Sequence, residues 1–278
     1  MIFLIDNYEN TYNTQSLYLH TGFNNLDHVS VMSNFAENST YDLLDTVKPQ
    51  VVITSAPRLS RDLLFYLSEN KDLNIKLLLN VDNTKQEDIV NLKDFMIAQG
   101  VIPNIIFTSN YDLPNKIGKL NILKLLPAAD LNQIQTLDFD YRIKRAIITD
   151  SVDEELKYDS SFHVISMNPE LNGKVDISLP CMGMRSIYSK YDEIIFRNME
   201  NISQAFFDAI TRGDKVYYHN EKDTGIQKKI NGILKVDCDL DYESKDKTQD
   251  FSEIKKIVAE KHTGNNRAKT ILSQIKGV

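Results

Sequence analysis

Cysteine is scarce: Cys181 and Cys238 are the only two in 278 residues. Two isolated thiols give no disulfide framework and no metal-ligand spacing. They fit a reducing, cytoplasmic location. Glycine-rich phosphate loops are missing as well. Neither Gly-x-Gly-x-x-Gly nor Gly-x-x-x-x-Gly-Lys-Ser/Thr occurs, which counts against a dinucleotide oxidoreductase and a P-loop nucleotidase. No Gly-x-Ser-x-Gly elbow is present, so an α/β-hydrolase would lack its nucleophile signature. Long apolar runs are absent at the start: Met-Ile-Phe-Leu-Ile-Asp6 is apolar for only a few residues and has no basic flank. It is expected to be a first buried strand rather than a signal peptide or membrane span. An excess of positive charge is absent too. The formal net charge is −7, so the surface as a whole does not favour nucleic acid or an anionic membrane. Lys228, Lys229 and Lys235, and again Lys255, Lys256 and Lys261, lie close in sequence; solvated helix faces are the plainer reading of both sets.

What remains is ordinary globular composition, 42% hydrophobic and 26% charged, at a length that suits one large α/β domain or two smaller ones. Apolar runs alternate with helical patterns, which predicts parallel sheets covered by helices. The first half predicts strands near 2–5, 29–32, 51–54, 75–80 and 105–108, with helices near 15–21, 41–47, 60–69 and 86–99. Thr84, with Glu87 three residues on, is expected to cap the last of these. Residues 126–140 have no clear period and read as a connection. A second set predicts strands near 146–149, 163–166, 176–178, 193–196 and 215–218. Its helices fall near 152–157, 184–191, 203–211 and 225–234, with closing helices over 251–276. The expected division is a domain over 1–125, a linker over 126–144 and a second domain over 145–278.

The segment from Ile202 to Tyr218 is the most informative. Ile202, Ala205, Phe206, Ala209 and Ile210 recur at helical spacing, Gly213 stops the helix, and Val216, Tyr217 and Tyr218 suit a strand. Asp208 lies among the core positions of that helix but can reach its rim. An acid beside a strand–helix crevice can accept hydrogen bonds from both ribose hydroxyls; an ordinary amphipathic helix with a capped acid is the alternative. Asp82 follows the apolar strand ending at Asn80. There a carboxylate can act as a general base, or simply form an Asx turn. Asp6 and Asn7 end the first strand and face the same crevice, and Tyr18 and His20 follow on the next helix. Phosphate can sit on a bare helix N-terminus, and two are offered, at Asp150-Ser151 and at Asn201-Ile-Ser203. Three Asp-x-Asp triplets (Asp138/Asp140, Asp237/Asp239 and Asp239/Asp241) have the form of a divalent-ion site, but solvated acids are the simpler account in a chain so rich in aspartate.

Three segments, in order along the chain, resemble a known family. Leu126-Pro-Ala-Ala-Asp130 resembles a Leu-Pro-x-Ala-Ala-Asp junction. Phe206-Phe-Asp-Ala-Ile-Thr-Arg-Gly213 resembles a Phe-Glu-Ala-x-Ala-x-Gly donor helix. His262-Thr-Gly-Asn-Asn-Arg-Ala268 resembles a closing His-Thr-x-x-x-Arg-Ala helix. Together they resemble GT-B-fold glycosyltransferases, chiefly the spore-maturation-protein-like group and more loosely the phage DNA-base glucosyltransferases. The resemblance implies an α/β, GT-B-like fold: two Rossmann-like domains facing a central cleft, with the second holding a nucleotide sugar. It matches Asp208 to the ribose carboxylate, with Asp in place of Glu, and puts Asp82 where the phage enzymes carry a general base. The Asp-x-Arg-x-Pro context of that base is absent, since Asn83-Thr-Lys85 follows. Where the family often carries Arg before the ribose acid, this chain has Ala205, so Gln204 or Arg197 is expected to meet the diphosphate.

The expected reaction is metal-independent transfer of a sugar from a nucleoside diphosphate, taken as a UDP-sugar with no further cofactor, to an acceptor hydroxyl. Asp208 fixes the ribose; Ser203, Gln204, Arg197 and Ser151 hold the diphosphate; Tyr188 or Tyr191 meets the nucleobase; Asp82 is the catalytic base; Asp6, Asn7 and His20 lie on the acceptor side. The acceptors considered are a hydroxymethylated base of phage DNA, in which case the location is the host cytoplasm, and a surface glycan, protein or small molecule. Two rivals stand beside this reading: a non-catalytic GT-B-like binding or assembly protein, and a manganese-dependent transferase of the GT-A type built on an Asp triplet.

Overall fold

Strand β1 (Ile2–Ile5) is buried at every position, the pattern of a parallel strand covered on both faces. In the computed structural model it pairs in parallel with β2 (Ser30–Ser33) on one side and β3 (Val51–Ser55) on the other. The structure describes residues 1–5, 15–33, 40–82, 84–131, 142–149, 161–179, 181–199, 201–222, 224–244 and 250–276. The sheet continues through β4 (Lys76–Asn80) and β5 (Ile105–Thr108) to a hairpin of β6 (Lys116–Ile117) and β7 (Leu120–Lys124), in the order β2-β1-β3-β4-β5-β7-β6. Only the β6–β7 pairing is antiparallel. The chain divides into two compact units; the first holds this sheet and also the C-terminal segment from Gly264.

Alternation along the strands separates two cores in this unit. Phe3, Ile5, Val52, Leu77 and Leu79 point to the side covered by α2 (Thr40–Val47), α3 (Arg61–Glu69) and α4 (Gln86–Ala98). Ile2, Leu4, Val51, Ile53 and Leu78 point to the side covered by α1 (Gln15–Asn24) and α9 (Gly264–Lys276). Helices α1 and α9 touch backbone to backbone. A Cβ on Gly22 would lie 2.4 Å from the carbonyl oxygen of Gly264, and one on Gly264 would lie 2.5 Å from that of Tyr18. The sequence grouped the closing helices with the second domain. Helix α9 instead packs in unit 1, because this pair of glycines lets it approach α1 closely. The expected cap of α4 also differs: Lys85 is its N-cap residue, with no side-chain hydrogen bond.

Unit 2 spans Pro127–Thr263. Its five strands are β8 (Arg145–Ile148), β9 (His163–Ser166), β10 (Ile177–Ser178), β11 (Glu193–Arg197) and β12 (Lys215–His219), all parallel, in the order β10-β9-β8-β11-β12. From β8 the chain winds outward through β9 and β10, then returns to the other side of β8 for β11 and β12. This reversal is the topological switch of a Rossmann-like half, and ligands collect at the carboxyl ends of the strands there. Helix α6 (Gln204–Arg212) follows β11, and α7 (Ile226–Leu234) and α8 (Phe251–Lys261) follow β12. The region expected as one helix over 184–191 holds instead a short α5 (Cys181–Met184) and a 3-10 turn at Tyr188–Lys190. The helix expected near 152–157 falls outside the described residues. The α/β class and the two Rossmann-like parallel sheets expected from the sequence are present.

Candidate functional site

The carboxyl ends of β8, β9 and β11 enclose a crevice of about 450 Å³ in unit 2. Ile148 ends β8 and Thr149 follows it, Met167 comes from just past β9, Phe196 and Arg197 end β11 and Asn198 and Met199 follow it; Asn201 and Ser203 close the crevice just before α6. The cavity therefore lies at the switch point between β8 and β11. Its walls are mixed: Ile148, Met167, Phe196 and Met199 are apolar, and Arg197 supplies a cation.

Ser203 sits in extended backbone and its Oγ accepts the N–H of Phe206 at 3.3 Å. It is the N-cap that starts α6 at the crevice wall. The first amides of α6 carry the positive end of the helix dipole, which favours an anion. Arg197 is the last residue of β11, and its side chain is only 13% exposed. Its Nη2 donates to Oε1 of Glu221 at 2.5 Å. That bond, with the charge of Arg197, holds the Glu221 carboxyl below the usual carboxylate range.

The turn past β11 is shaped by asparagines. Asn198 adopts φ 53°, a left-handed conformation that Asn tolerates better than most residues. Its Oδ1 accepts the N–H of Glu221 at 3.3 Å. Asn220 binds both the N–H (2.6 Å) and the C=O (2.9 Å) of Met199, and donates to Thr224 Oγ1 at 2.7 Å. The loops after β11 and β12 are thus stitched together beneath Arg197 and Glu221.

Asp208 lies elsewhere. The sequence placed it at the rim of its helix, within reach of a ribose. In the structure it is fully buried, and its Oδ1 accepts the backbone N–H of Asp130 at 2.8 Å. Asp130 in turn bonds Arg185 through its carboxylate, and its carbonyl accepts from Arg212 Nη2 at 2.6 Å. Nearby, the N–H of Ala129 donates to the carbonyl of His262 at 2.7 Å, and the rings of Phe207 and His262 stack with centroids 5.6 Å apart. Pro127–Asp130, α6 and His262–Thr263 therefore meet in the interior of unit 2. Parts of the three segments that carried the family resemblance are neighbours there, and Asp208 is a polar centre of their junction rather than part of the crevice lining.

Tyr188 is 1% and Tyr191 2% exposed; neither lines the crevice, and the Tyr191 hydroxyl is bonded to His163 Nδ1 at 2.9 Å. Gln204 is the first residue of α6 and half-buried, beside the crevice but not in its lining. Ser151, Asp6 and Asn7 lie outside the described residues. His20 is on α1 and bonds Ser30, the first residue of β2, with Nδ1 2.6 Å from its Oγ. That position is at the amino end of the strand, away from a crevice at the carboxyl ends.

Asp82 sits just past the carboxyl end of β4, as expected, but its carboxylate is heavily used. Oδ1 accepts from Thr108 Oγ1 (2.7 Å) and from the N–H of Ser109; Oδ2 accepts from Ser109 Oγ (2.8 Å) and Asn80 Nδ2 (3.3 Å). Three of these four donors come from the end of β5, so one side chain ties the two strand ends together. Of the Asp triplets, Asp239 Oδ1 accepts the N–H of Asp241, and Asp241 Oδ1 that of Glu243, so both form Asx turns. Among the described residues no three His, Cys, Asp or Glu side chains gather at metal-ligating distance.

Sequence reasoning found Arg197, Ser203 and the helix start at Asn201, but missed Thr149, Met167, Asn198 and Met199 in the lining and Glu221 beside Arg197. The signal for most of them was position alone: each follows a strand of the switch-point group. No family model matches the chain, and no curated protein matches it. Among solved structures it is similar to the spinosyn forosaminyltransferase SpnP, with 9% identity and a TM-score of 0.44 over 99% of this chain and 94% of that one. It is also similar to MurG of Acinetobacter baumannii, with 9% identity and a TM-score of 0.40 over the same shares.

Proposed function

We propose that the chain is a glycosyltransferase whose unit 2 binds the nucleoside-diphosphate part of a sugar donor. The observation that carries this reading is the coincidence, in one switch-point crevice, of Arg197 with the capped N-terminus of α6. A diphosphate needs both features: a guanidinium for charge-assisted bonds and a helix end with amides and a favourable dipole. The apolar side formed by Met167, Phe196 and Met199 suits the flat face of a base. During transfer the same cation and helix end would stabilise the charge that builds on the departing diphosphate. The family resemblance of the three interior segments supports the same assignment, and a UDP-sugar is the donor to try first. The acceptor belongs to a class that an acidic protein tolerates without strong electrostatic help, a glycan, protein or small molecule, ahead of DNA.

Asp208 and Asp82 are given other work in this reading. Asp208 organises the interior of unit 2, and Asp82 clamps the loops after β4 and β5. That reassignment favours a second reading, a non-catalytic nucleotide-sugar-binding protein, because both carboxylates assigned chemistry from the sequence are occupied by protein donors. The deciding experiment is thermal denaturation against a panel of nucleoside diphosphates and nucleotide sugars, with and without manganese, followed by donor hydrolysis and transfer assays. A ligand at about 100 times its Kd adds roughly 2.7 kcal/mol. A selective shift with turnover supports the transferase; a shift without hydrolysis or transfer to any acceptor supports the binding protein; no shift from any nucleotide removes both. A shift that requires manganese would point to a metal-assisted donor site instead.

A further inference from the structure

The cation of the crevice is already paired with an anion from the protein itself. Arg197 and His219 are register partners on β11 and β12. Glu221 stands two residues past His219, and its carboxylate is 2.5 Å from Arg197 Nη2. The pair is asymmetric, since the Arg197 side chain is 13% exposed and that of Glu221 is 53% exposed. The arginine is fixed in the wall of the cavity, while the glutamate reaches it from solvent. The backbone that carries Glu221 is held by Asn198 and Asn220. The carboxylate is thus presented to Arg197 from a tethered loop rather than a free one.

We infer that Glu221 is a displaceable internal counter-ion of the crevice, occupying the bonding positions on Arg197 that the anionic group of the ligand takes when it binds. The inference rests on the reading of the crevice as a diphosphate site and adds the device that sets its affinity. The physics is a competition. The Arg197 guanidinium is mostly buried, and the Glu221 carboxylate offsets part of the cost of holding that charge in the free protein. A phosphate group offers Arg197 the same charge-assisted geometry with more oxygen acceptors. On exchange Glu221 loses little, because its exposed carboxylate returns to water and exposed pairs contribute weakly. The arrangement also selects: a ligand must be anionic enough to outcompete a carboxylate, so a diphosphate exchanges with Glu221 and a neutral nucleoside does not. His219 and Glu243, 3.6 Å apart, continue the line of polar side chains on the exposed side of Glu221.

The test is isothermal titration of inorganic pyrophosphate, UDP and uridine into the intact wild-type chain and the Glu221→Gln and Arg197→Gln variants, with melting curves confirming that each is folded. Glu221→Gln is expected to bind pyrophosphate and UDP about fivefold tighter, because the competing carboxylate is gone, and to leave uridine unchanged. Arg197→Gln should bind both anions weakly, and adding Glu221→Gln to it should restore nothing, since the competition needs the arginine. Equal or weaker pyrophosphate and UDP binding by Glu221→Gln, with binding by the wild type intact, would overturn the counter-ion role while leaving the diphosphate site standing. Failure of wild type and Glu221→Gln alike to bind either anion would remove the site and the counter-ion together.

Discussion

Asp208 and Asp130 are 78 residues apart in sequence, and the carboxylate of one accepts the backbone N–H of the other at 2.8 Å in the interior of unit 2. Both side chains are buried. A buried carboxylate is tolerated when charge and hydrogen bonds compensate it, and Arg185 and Arg212 both bond Asp130. Four polar residues thus hold α6 against Pro127–Asp130, and α6 in turn presents Ser203 to the crevice.

Asp208→Ala leaves a buried N–H and disturbs the charge balance of this junction. It is expected to cost about 3 kcal/mol or more of stability. Asp208→Asn keeps an oxygen acceptor and should cost less. Urea denaturation reads both. A direct ribose contact predicts the opposite pattern: near-wild-type stability and lost nucleotide affinity.

Asp82→Asn puts an amide where four donors converge, so about 1–3 kcal/mol of stability should be lost. Once the unfolded fraction is accounted for, the turnover of an assayed donor and acceptor should change less than about tenfold. A fall on the order of 100-fold or more at unchanged donor affinity is the signature of a general base, and would return Asp82 to the chemistry.

Gly22→Ala and Gly264→Ala each force a methyl to within 2.4 and 2.5 Å of a backbone oxygen on the facing helix. Neither carbonyl can swing aside as a side-chain tip would. Each change should cost at least about 2 kcal/mol by overpacking, seen as a lower urea midpoint. Wild-type stability in either variant would mean that α9 does not lie against α1 in this way.

Much of the fold could be read from local pattern. β1, β4 and β11 are near-continuous apolar runs, and the spacing of Ile202, Ala205, Phe206 and Ala209 defined α6. The hairpin at Lys116–Lys124 was missed because β6 has only two residues and no period to read. What escaped at the sites were long-range partners. Asp82 was placed correctly at a strand end, but Thr108 and Ser109 reach it only because β4 and β5 pair in register. Helical spacing already put Asp208 among core positions, and its charge argued for the rim. Its partner is a backbone N–H, which leaves no mark in a sequence. Likewise nothing in a periodic stretch over 251–276 shows that the chain changes unit at Gly264.

His20 gives the protein a pH response in unit 1. Burial pushes its imidazole below the ordinary value of 6.5. Asn24 Nδ2 faces Nε2 at 3.3 Å and Ser30 Oγ faces Nδ1 at 2.6 Å, a pattern met by the neutral tautomer with Nδ1 protonated. A second proton on Nε2 would oppose the Asn24 donor. With the folded value depressed, the unfolded chain binds the proton first, so stability is full above about pH 6.5 and falls as the pH drops below it. His20→Gln should flatten that part of the stability profile between pH 7 and 5 relative to wild type, measured by urea midpoints. The other histidines are unchanged in the comparison, so identical slopes would mean that His20 does not contribute.

Ser203 and Arg197 share the crevice but should fail differently. Ser203 Oγ is spent on the N–H of Phe206, so Ser203→Ala loses a cap worth about 1 kcal/mol of stability. The ligand still meets the positive end of the α6 dipole, and UDP affinity should fall by less than about threefold. Arg197 lines the cavity, and a hydrogen bond to a charged group contributes about 1.5–3 kcal/mol. Arg197→Gln should therefore weaken UDP and pyrophosphate by about tenfold or more, with little change for uridine. The loss should shrink as salt is raised, because screening removes the charge term from the wild type as well. Equal losses for UDP and uridine would indicate that Arg197 merely shapes the loop after β11. In that case the diphosphate would have to be held elsewhere.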